Sequence, residues 1–305
     1  MTTTVDAANA DHRVRGVVLM ICAMLFIPGI DAIAKLLADR VPAVQISWSR
    51  FFFQTLYIAP IILLTIGPAA MRAKNPPVVI LRGVLIAAAT LFFFTSLRYL
   101  PLAEAIAIFF VEPLLLTVLS AIFLRERIGW RRILAVIVGL GGAQLIIQPS
   151  FAEVGWPALL PLGAAATFAV YLLLTKTLAA SERPLTLHLW AGIAGTAALG
   201  IAMGVGVVTG VESFTPVWPS AGDWLFLALL GAIATAAHFL VVIAFGLAPA
   251  SLLAPFQYLE IVSATLLGYL IFNDFPGPQT WAGIAIIIGA GGFVLWRERV
   301  RAEGA

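Results

Sequence analysis

Apolar residues in this chain run in long blocks, and the blocks are separated by short clusters of charge or of Pro, Gly and Asn. A bilayer core about 30 Å thick takes about 20 apolar residues per helix. Ten runs of about that order occur: Val14 to Leu37, Ala43 to Ile66, Val78 to Leu97, Leu102 to Leu124, Ile133 to Ile147, Trp156 to Leu178, Thr186 to Val208, Asp223 to Gly246, Ala250 to Phe272 and Thr280 to Trp296. The fifth is the shortest. Period-two alternation broken by regular turns, the mark of a membrane barrel, is absent. The pattern predicts an all-α integral membrane bundle of ten transmembrane helices.

Composition agrees with the pattern. The 305 residues are 62% hydrophobic and only 11% charged, too few charges to clothe a water-soluble globule of this size. The net charge is +3, and the basic residues are scattered rather than gathered into the stripe of a nucleic-acid binder. A single cysteine, Cys22, excludes an intramolecular disulfide and any multi-cysteine metal site.

Basic residues set the expected orientation. With the N-terminus cytoplasmic, the inner segments hold 14 of the 18 Lys and Arg, among them Arg72, Lys74 and Arg82, the group Arg125 to Arg132, and Arg297 to Arg301. Both termini are therefore expected inside, in a bacterial-type inner membrane. The first span, containing Asp31 and Lys35, reads as retained rather than as a cleaved signal.

The chain also repeats itself. Lys35, Pro42 and Trp48 recur as Lys176, Pro184 and Trp190, 141 to 142 residues on. Pro101, Glu112 and Glu126 recur as Pro249, Glu260 and Asp274 at 148, and Gly139, Gly141 and Gly142 recur as Gly289, Gly291 and Gly292 at 150. An ordered series of this kind indicates duplication. The expected organisation is an N-terminal tail at 1–13, a first five-helix unit at 14–148, a second at 149–297 and a C-terminal tail at 298–305. Five spans per copy oblige the second copy to enter the membrane from the opposite face, which predicts inverted repeats of the sort found in secondary transporters, with a site near midplane.

Several of these residues carry a family resemblance. The ten spans in a five-plus-five duplication, the segment from Arg98 through Pro101 to Ala105, the pair Glu112-Pro113, Glu126, the cluster Gly139 to Gly142 and Arg50 together resemble the EamA-type branch of the drug/metabolite transporter superfamily. The resemblance covers essentially the whole chain. It implies a proton-linked or exchange-type carrier of the inner membrane exporting amino acids, nucleobases, drugs or related metabolites, with aromatic amino acids the favoured class. The second copy departs from the pattern, having Ile261 where the first has Pro113, with Pro255 six positions earlier.

Polar residues that lipid should exclude are the candidate site, since a charged side chain at a helix centre costs about 2.5–3.5 kcal/mol on insertion scales. Glu112 and Glu260 each lie about 15 Å into their helices, where a carboxylate can bind a substrate ammonium group, carry a proton, or rest protonated between helices. Asp31 and Arg50 share a depth near 10 Å and are expected to form a structural or gating ion pair. Lys35, one turn beyond Asp31, is expected to snorkel to the interface, and Arg98 with Glu104 to form a surface pair. His238 is either a proton relay or a buried neutral imidazole. Gln257, Tyr258 and Tyr171 offer amphipathic contacts to an apolar or aromatic substrate, against a default of core packing. Tyr99 stands at the outer mouth. Pro28 and Pro113 are hinge candidates.

The leading expectation is thus a small-molecule secondary exporter working by alternating access, with no cofactor, no metal and no nucleic-acid partner, protons being the candidate coupling ion. A polytopic enzyme acting on lipid-linked substrates and a passive channel are the alternatives; for the enzyme, the longest outer loop offers only Glu212 and Asp223. Oligomeric state is not legible in the sequence.

Overall fold

The computed structural model describes residues 2–123, 130–178, 181–248, 253 and 256–303, and every regular element among them is helical. In chain order these are α1 (Thr2–Leu37), α2 (Ala43–Thr65), α3 (Pro76–Ser96), α4 (Leu102–Phe109), α5 (Glu112–Phe123), α6 (Trp130–Val154), α7 (Leu160–Leu178), α8 (Pro184–Thr209), α9 (Ala221–Leu247), α10 (Leu259–Phe272) and α11 (Pro278–Glu303), with short 3-10 turns at Pro68–Met71, Trp156–Leu159 and Glu212–Phe214. Among the described residues, eight helical stretches are long and apolar enough to cross a membrane, and Leu259–Phe272 is a shorter apolar helix.

Proline and left-handed residues punctuate the chain. Pro42 and Pro101 immediately precede α2 and α4, and Pro76, Pro184 and Pro278 open α3, α8 and α11; at these positions the missing N–H costs nothing. At the other ends, Gly210 and Asn273 take φ of 72° and 59° to stop α8 and α10.

Residues 2–13, the expected tail, are helical and continuous with α1, in keeping with the high helix propensity of their alanines. Three expectations change. The fifth span is not the shortest, because α6 runs 25 residues and carries Pro149 within it. The fourth span is not one helix: α4 ends at Phe109, the chain turns at Phe110 and Val111, and α5 starts at Glu112. Pro113 explains this, since its ring and absent N–H forbid the helical bond back to Phe109. The ninth span is also interrupted, with a turn at Tyr258 before α10. Ile261 keeps its N–H and donates it to the Tyr258 carbonyl at 3.2 Å, so this interruption does not depend on a proline at the matching position. Pro249 and Pro255 fall outside the described residues.

Small residues set the closest helix crossings. Gly139 and Gly142 of α6 lie against Ala290, Gly283 and Ile286 of α11, so a Cβ at Gly142 would come within 3.0 Å of the Gly283 carbonyl oxygen. Gly16 of α1 meets Ala244 of α9 and Ala248 just beyond it, and Gly192 and Gly195 of α8 fit against Phe51 and Thr55 of α2. Further packing joins α3 to α7 and α8, α2 to α9, α1 to α10, and α5 to α7. The largest apolar core draws on α1, α3, α4, α6, α9, α10 and α11, while Leu64, Val208, Ile201 and Leu225 point outward, as expected where lipid is the solvent.

Helix ends are tied across the bundle. Asp223 completes a capping box with Ser220 at the start of α9 and pairs with Arg40 at 3.3 Å, which gives this loop carboxylate a structural role. Glu182 accepts the backbone N–H groups of Lys74 and Asn75 at 2.6 and 2.9 Å, placing a carboxylate at the positive end of α3. The Gln45 amide makes paired 2.9 Å bonds with the backbone of Val217, and Thr186 and Trp190 hold the carbonyls of Ala70 and Met71 at 2.6 and 2.9 Å.

Candidate functional site

The two helix interruptions face each other. The rings of Phe110 and Tyr258, one from each turn, pack with centroids 5.5 Å apart, and each is followed two residues later by a carboxylate, Glu112 or Glu260. Glu112 stands at the middle of the 22-residue apolar stretch Leu102–Phe123. It is buried, and its Oε1 has no hydrogen-bond partner. Tyr258 lies within electrostatic reach of Glu112, and Glu260 within that of Asp31. The Tyr258 hydroxyl is seated against Gly291 of α11, where any Cβ would collide with it. The Pro28 region of α1 is tied to the same place: Ser263 of α10 donates to the Leu25 carbonyl at 2.9 Å, one turn before the proline.

A second group of side chains, centred on Arg50 and Arg82, forms a cationic wall. On α2, Arg50 and Gln54 share a face; on α3, Arg82 and Thr90 do so two turns apart. Arg50 donates through Nη1 to Thr90 Oγ1 and lies over the Phe51 ring at 5.0 Å. Arg82 is buried and spends donors on three partners: Nε on Thr175 Oγ1 at 2.6 Å, Nη1 on the Leu187 carbonyl at 3.0 Å, and Nη2 on the Tyr171 hydroxyl at 2.6 Å. Its guanidinium also stacks on the Tyr171 ring at 4.3 Å. His188 of α8 and His238 of α9 bring their rings to 5.9 Å. His238 Nδ1 bonds the Ala234 carbonyl at 2.8 Å, and Gln54 donates to the His188 carbonyl at 2.9 Å. Both guanidinium groups lie within electrostatic reach of both imidazoles. Two buried polar atoms in this wall have no partner: Arg50 Nε and His188 Nε2. An aromatic row, Phe93, Phe109, Phe168 and Tyr171, with successive centroids 5.1–5.5 Å apart, links the Phe110 turn to the wall.

The structure rearranges several pairings. Asp31 and Arg50 are in electrostatic reach of one another but make no contact ion pair, because Arg50 is drawn to Thr90 and Phe51. The Lys35 ammonium pairs with Asp274 at 2.7 Å and donates to the Leu100 carbonyl at 3.0 Å, joining α1, the α3–α4 turn and the end of α10. Arg98 does not pair with Glu104, whose carboxylate instead accepts from Ser150 and Thr280 at 3.0 and 3.1 Å. Tyr99 is 43% exposed at the helix end, away from the carboxylates. Gln257 is partly buried beside Tyr258. Pro113 takes the second position of α5, while Pro28 sits inside a continuous α1. Glu126 lies outside the described residues.

Arg82 is the principal residue that sequence reasoning misplaced, having been counted with an inner loop. The signal was available: α3 opens at Pro76, so Arg82 is already two turns inside an apolar helix that runs without another charge to Ser96. Gln54, Thr90, Thr175 and the pairing of His188 with His238 depend on which helix faces converge, and no local pattern marks them.

The profile of the EamA-like transporter family matches residues 14–148 and again 155–296. The chain belongs to the EamA-like transporter family. It is similar over 99% of its length, at 30% identity, to a riboflavin transporter of Rhizobium johnstonii, of which 97% is covered. It is 28% identical to an S-adenosylmethionine uptake transporter of Rickettsia bellii, covering 88% of this chain and 89% of that one, and 25% identical to a pseudopaline exporter of Pseudomonas aeruginosa, covering 90% and 94%. A crystal structure at 20% identity superposes with a TM-score of 0.63 over 93% of this chain and 98% of its own, which establishes the shared fold. This EamA-family chain is a multi-pass membrane transporter, not an enzyme.

Proposed function

We propose that the protein is a secondary transporter of small metabolites that carry an ammonium group and an apolar or aromatic ring, amino acids and amino-acid-bearing compounds foremost. It works by alternating access around Glu112 and Glu260. The observation carrying this reading is the pair of opposed helix interruptions, each followed by a buried or partly buried carboxylate. Discontinuous helices near midplane expose backbone and side-chain groups to a bound solute, and the carboxylates offer a partner for a cation or a place for a proton.

Ten spans in two inverted halves, 14–148 and 149–297, underlie the mechanism. Packing supports that arrangement. When the two halves are exchanged element for element, the pair α1–α9 becomes α7–α3, α3–α8 becomes α9–α2, and α1–α10 becomes α7–α5; α2–α8 and α6–α11 become themselves. Each of these contacts is present. The inner membrane, with both termini cytoplasmic, is the proposed location on the distribution of basic residues. Aromatic rings at Phe109, Phe110, Phe168, Tyr171 and Tyr258 supply flat walls for a planar substrate. Relatives are named for uptake and for export, and a secondary carrier runs in either direction as gradients dictate, so direction is no part of the proposal.

Proteoliposomes test it. Loaded with unlabelled phenylalanine, tryptophan or S-adenosylmethionine, they should accumulate the labelled compound by counterflow. Background uptake for every candidate metabolite defeats the proposal, and flux without counterflow replaces it with a channel.

A further inference from the structure

We propose that Arg50 and His188 form the docking point for a substrate carboxylate, so that the transported molecule is bound in one fixed orientation, its acidic end at the cationic wall and its ammonium end toward Glu112. The inference rests on the transport reading above and specifies its substrate. Two observations carry it. Arg50 Nε and His188 Nε2 are buried polar atoms without a partner, and a buried donor left unpaired is costly unless something fills it. Both belong to one cluster: Gln54, one turn from Arg50 on α2, donates to the His188 carbonyl at 2.9 Å, and each imidazole lies within electrostatic reach of both guanidinium groups.

The geometry selects the ligand. Arg50 has committed Nη1 to Thr90, which leaves the Nε edge of its planar fork, and that edge matches the two oxygens of a carboxylate. Arg82 presents no such edge, since each of its three nitrogens already donates, to Thr175, Leu187 or Tyr171. The wall therefore offers one open guanidinium edge, suited to a single carboxylate. His188, its backbone carbonyl fixed by Gln54, adds a neutral N–H donor through Nε2 when that nitrogen carries the proton. Across the site the unpartnered Oε1 of Glu112 supplies the complementary acceptor.

Matched compounds in the counterflow assay test this: phenylalanine against phenylalaninamide and phenethylamine, and S-adenosylmethionine against riboflavin, which has no carboxylate. The expected result is that only the carboxylate-bearing member of each set exchanges. Arg50→Gln should raise the KM for that compound by roughly ten- to a hundredfold, as for loss of a charge-assisted hydrogen bond, and Arg50→Lys should recover part of it. The preference for acid over amide should fall together with the affinity, a readout that a merely structural Arg50 would not move. Equal exchange of phenylalanine and its amide overturns the carboxylate site while leaving the proposed function standing, whereas exchange of riboflavin without any carboxylate-bearing compound overturns the ammonium-bearing substrate class as well. Failure of all of them defeats both.

Discussion

The carboxylate side and the cationic side of the interior are built on different principles. Glu112 and Glu260 occupy equivalent positions, 148 residues apart, each two residues beyond a ring at a helix interruption. Arg50 and His188 have no such twins: at the 142-residue offset that relates Trp48 to Trp190, Arg50 corresponds to Gly192 and His188 to Ile46. Packing explains the first substitution. Gly192 lies where α8 crosses α2, and a Cβ there would run into Thr55 Oγ1, so only one of the two crossing helices can carry a side chain at this level. On the proposed reading, a duplicated frame can thus keep a shared pair of acids and still give a binding space a positive wall on one side alone, which would distinguish the two ends of a substrate.

The largest effect expected from breaking this contrast is on folding. Arg82→Met strips donors from the Thr175 and Tyr171 hydroxyls and the Leu187 carbonyl and should destabilise the protein by about 2–4 kcal/mol, read as a lowered melting temperature in detergent. An unchanged melting temperature would show that the wall is not structural at that point. Next, Glu112→Gln and Glu260→Gln should each cut counterflow by roughly ten- to a hundredfold with little change in melting. Equal losses would affirm the equivalence of the two acids, and a silent Glu260→Gln would confine the chemistry to the first segment. A double-mutant cycle on Lys35→Ala and Asp274→Ala should return a coupling of about 0.5–1 kcal/mol, because Asp274 is one-third exposed and solvent screens the pair.

Much of the frame was legible because lipid enforces it. Apolar blocks, terminal prolines and the recurrence of Pro101, Glu112 and the glycine cluster are local features, and they gave helix positions within a few residues. The identity of the carboxylates was legible for the same reason, since an acid in mid-span is conspicuous. What a partner across the bundle decides was not. Nothing adjacent to Lys35 announces Asp274, 239 residues away; nothing near Glu104 announces Ser150 and Thr280. Arg82 was misread because a basic residue near a helix start fits the charge rule for loops as well as it fits an interior anchor. The second interruption could not be inferred from Ile261, because the turn at Tyr258 is accommodated by the gap that Gly291 leaves for its hydroxyl, a contact between separate helices.

A guanidinium that commits its nitrogens to α7 and α8 while rooted in α3 acts as a rivet. In the proposed alternating-access cycle those three helices travel as one plate. On the proposed alternating-access reading, slippage falls to the seams between α6 and α11 and between α1 and α9, which are lined by glycine and alanine, and stiffening either seam should slow turnover while leaving affinity intact.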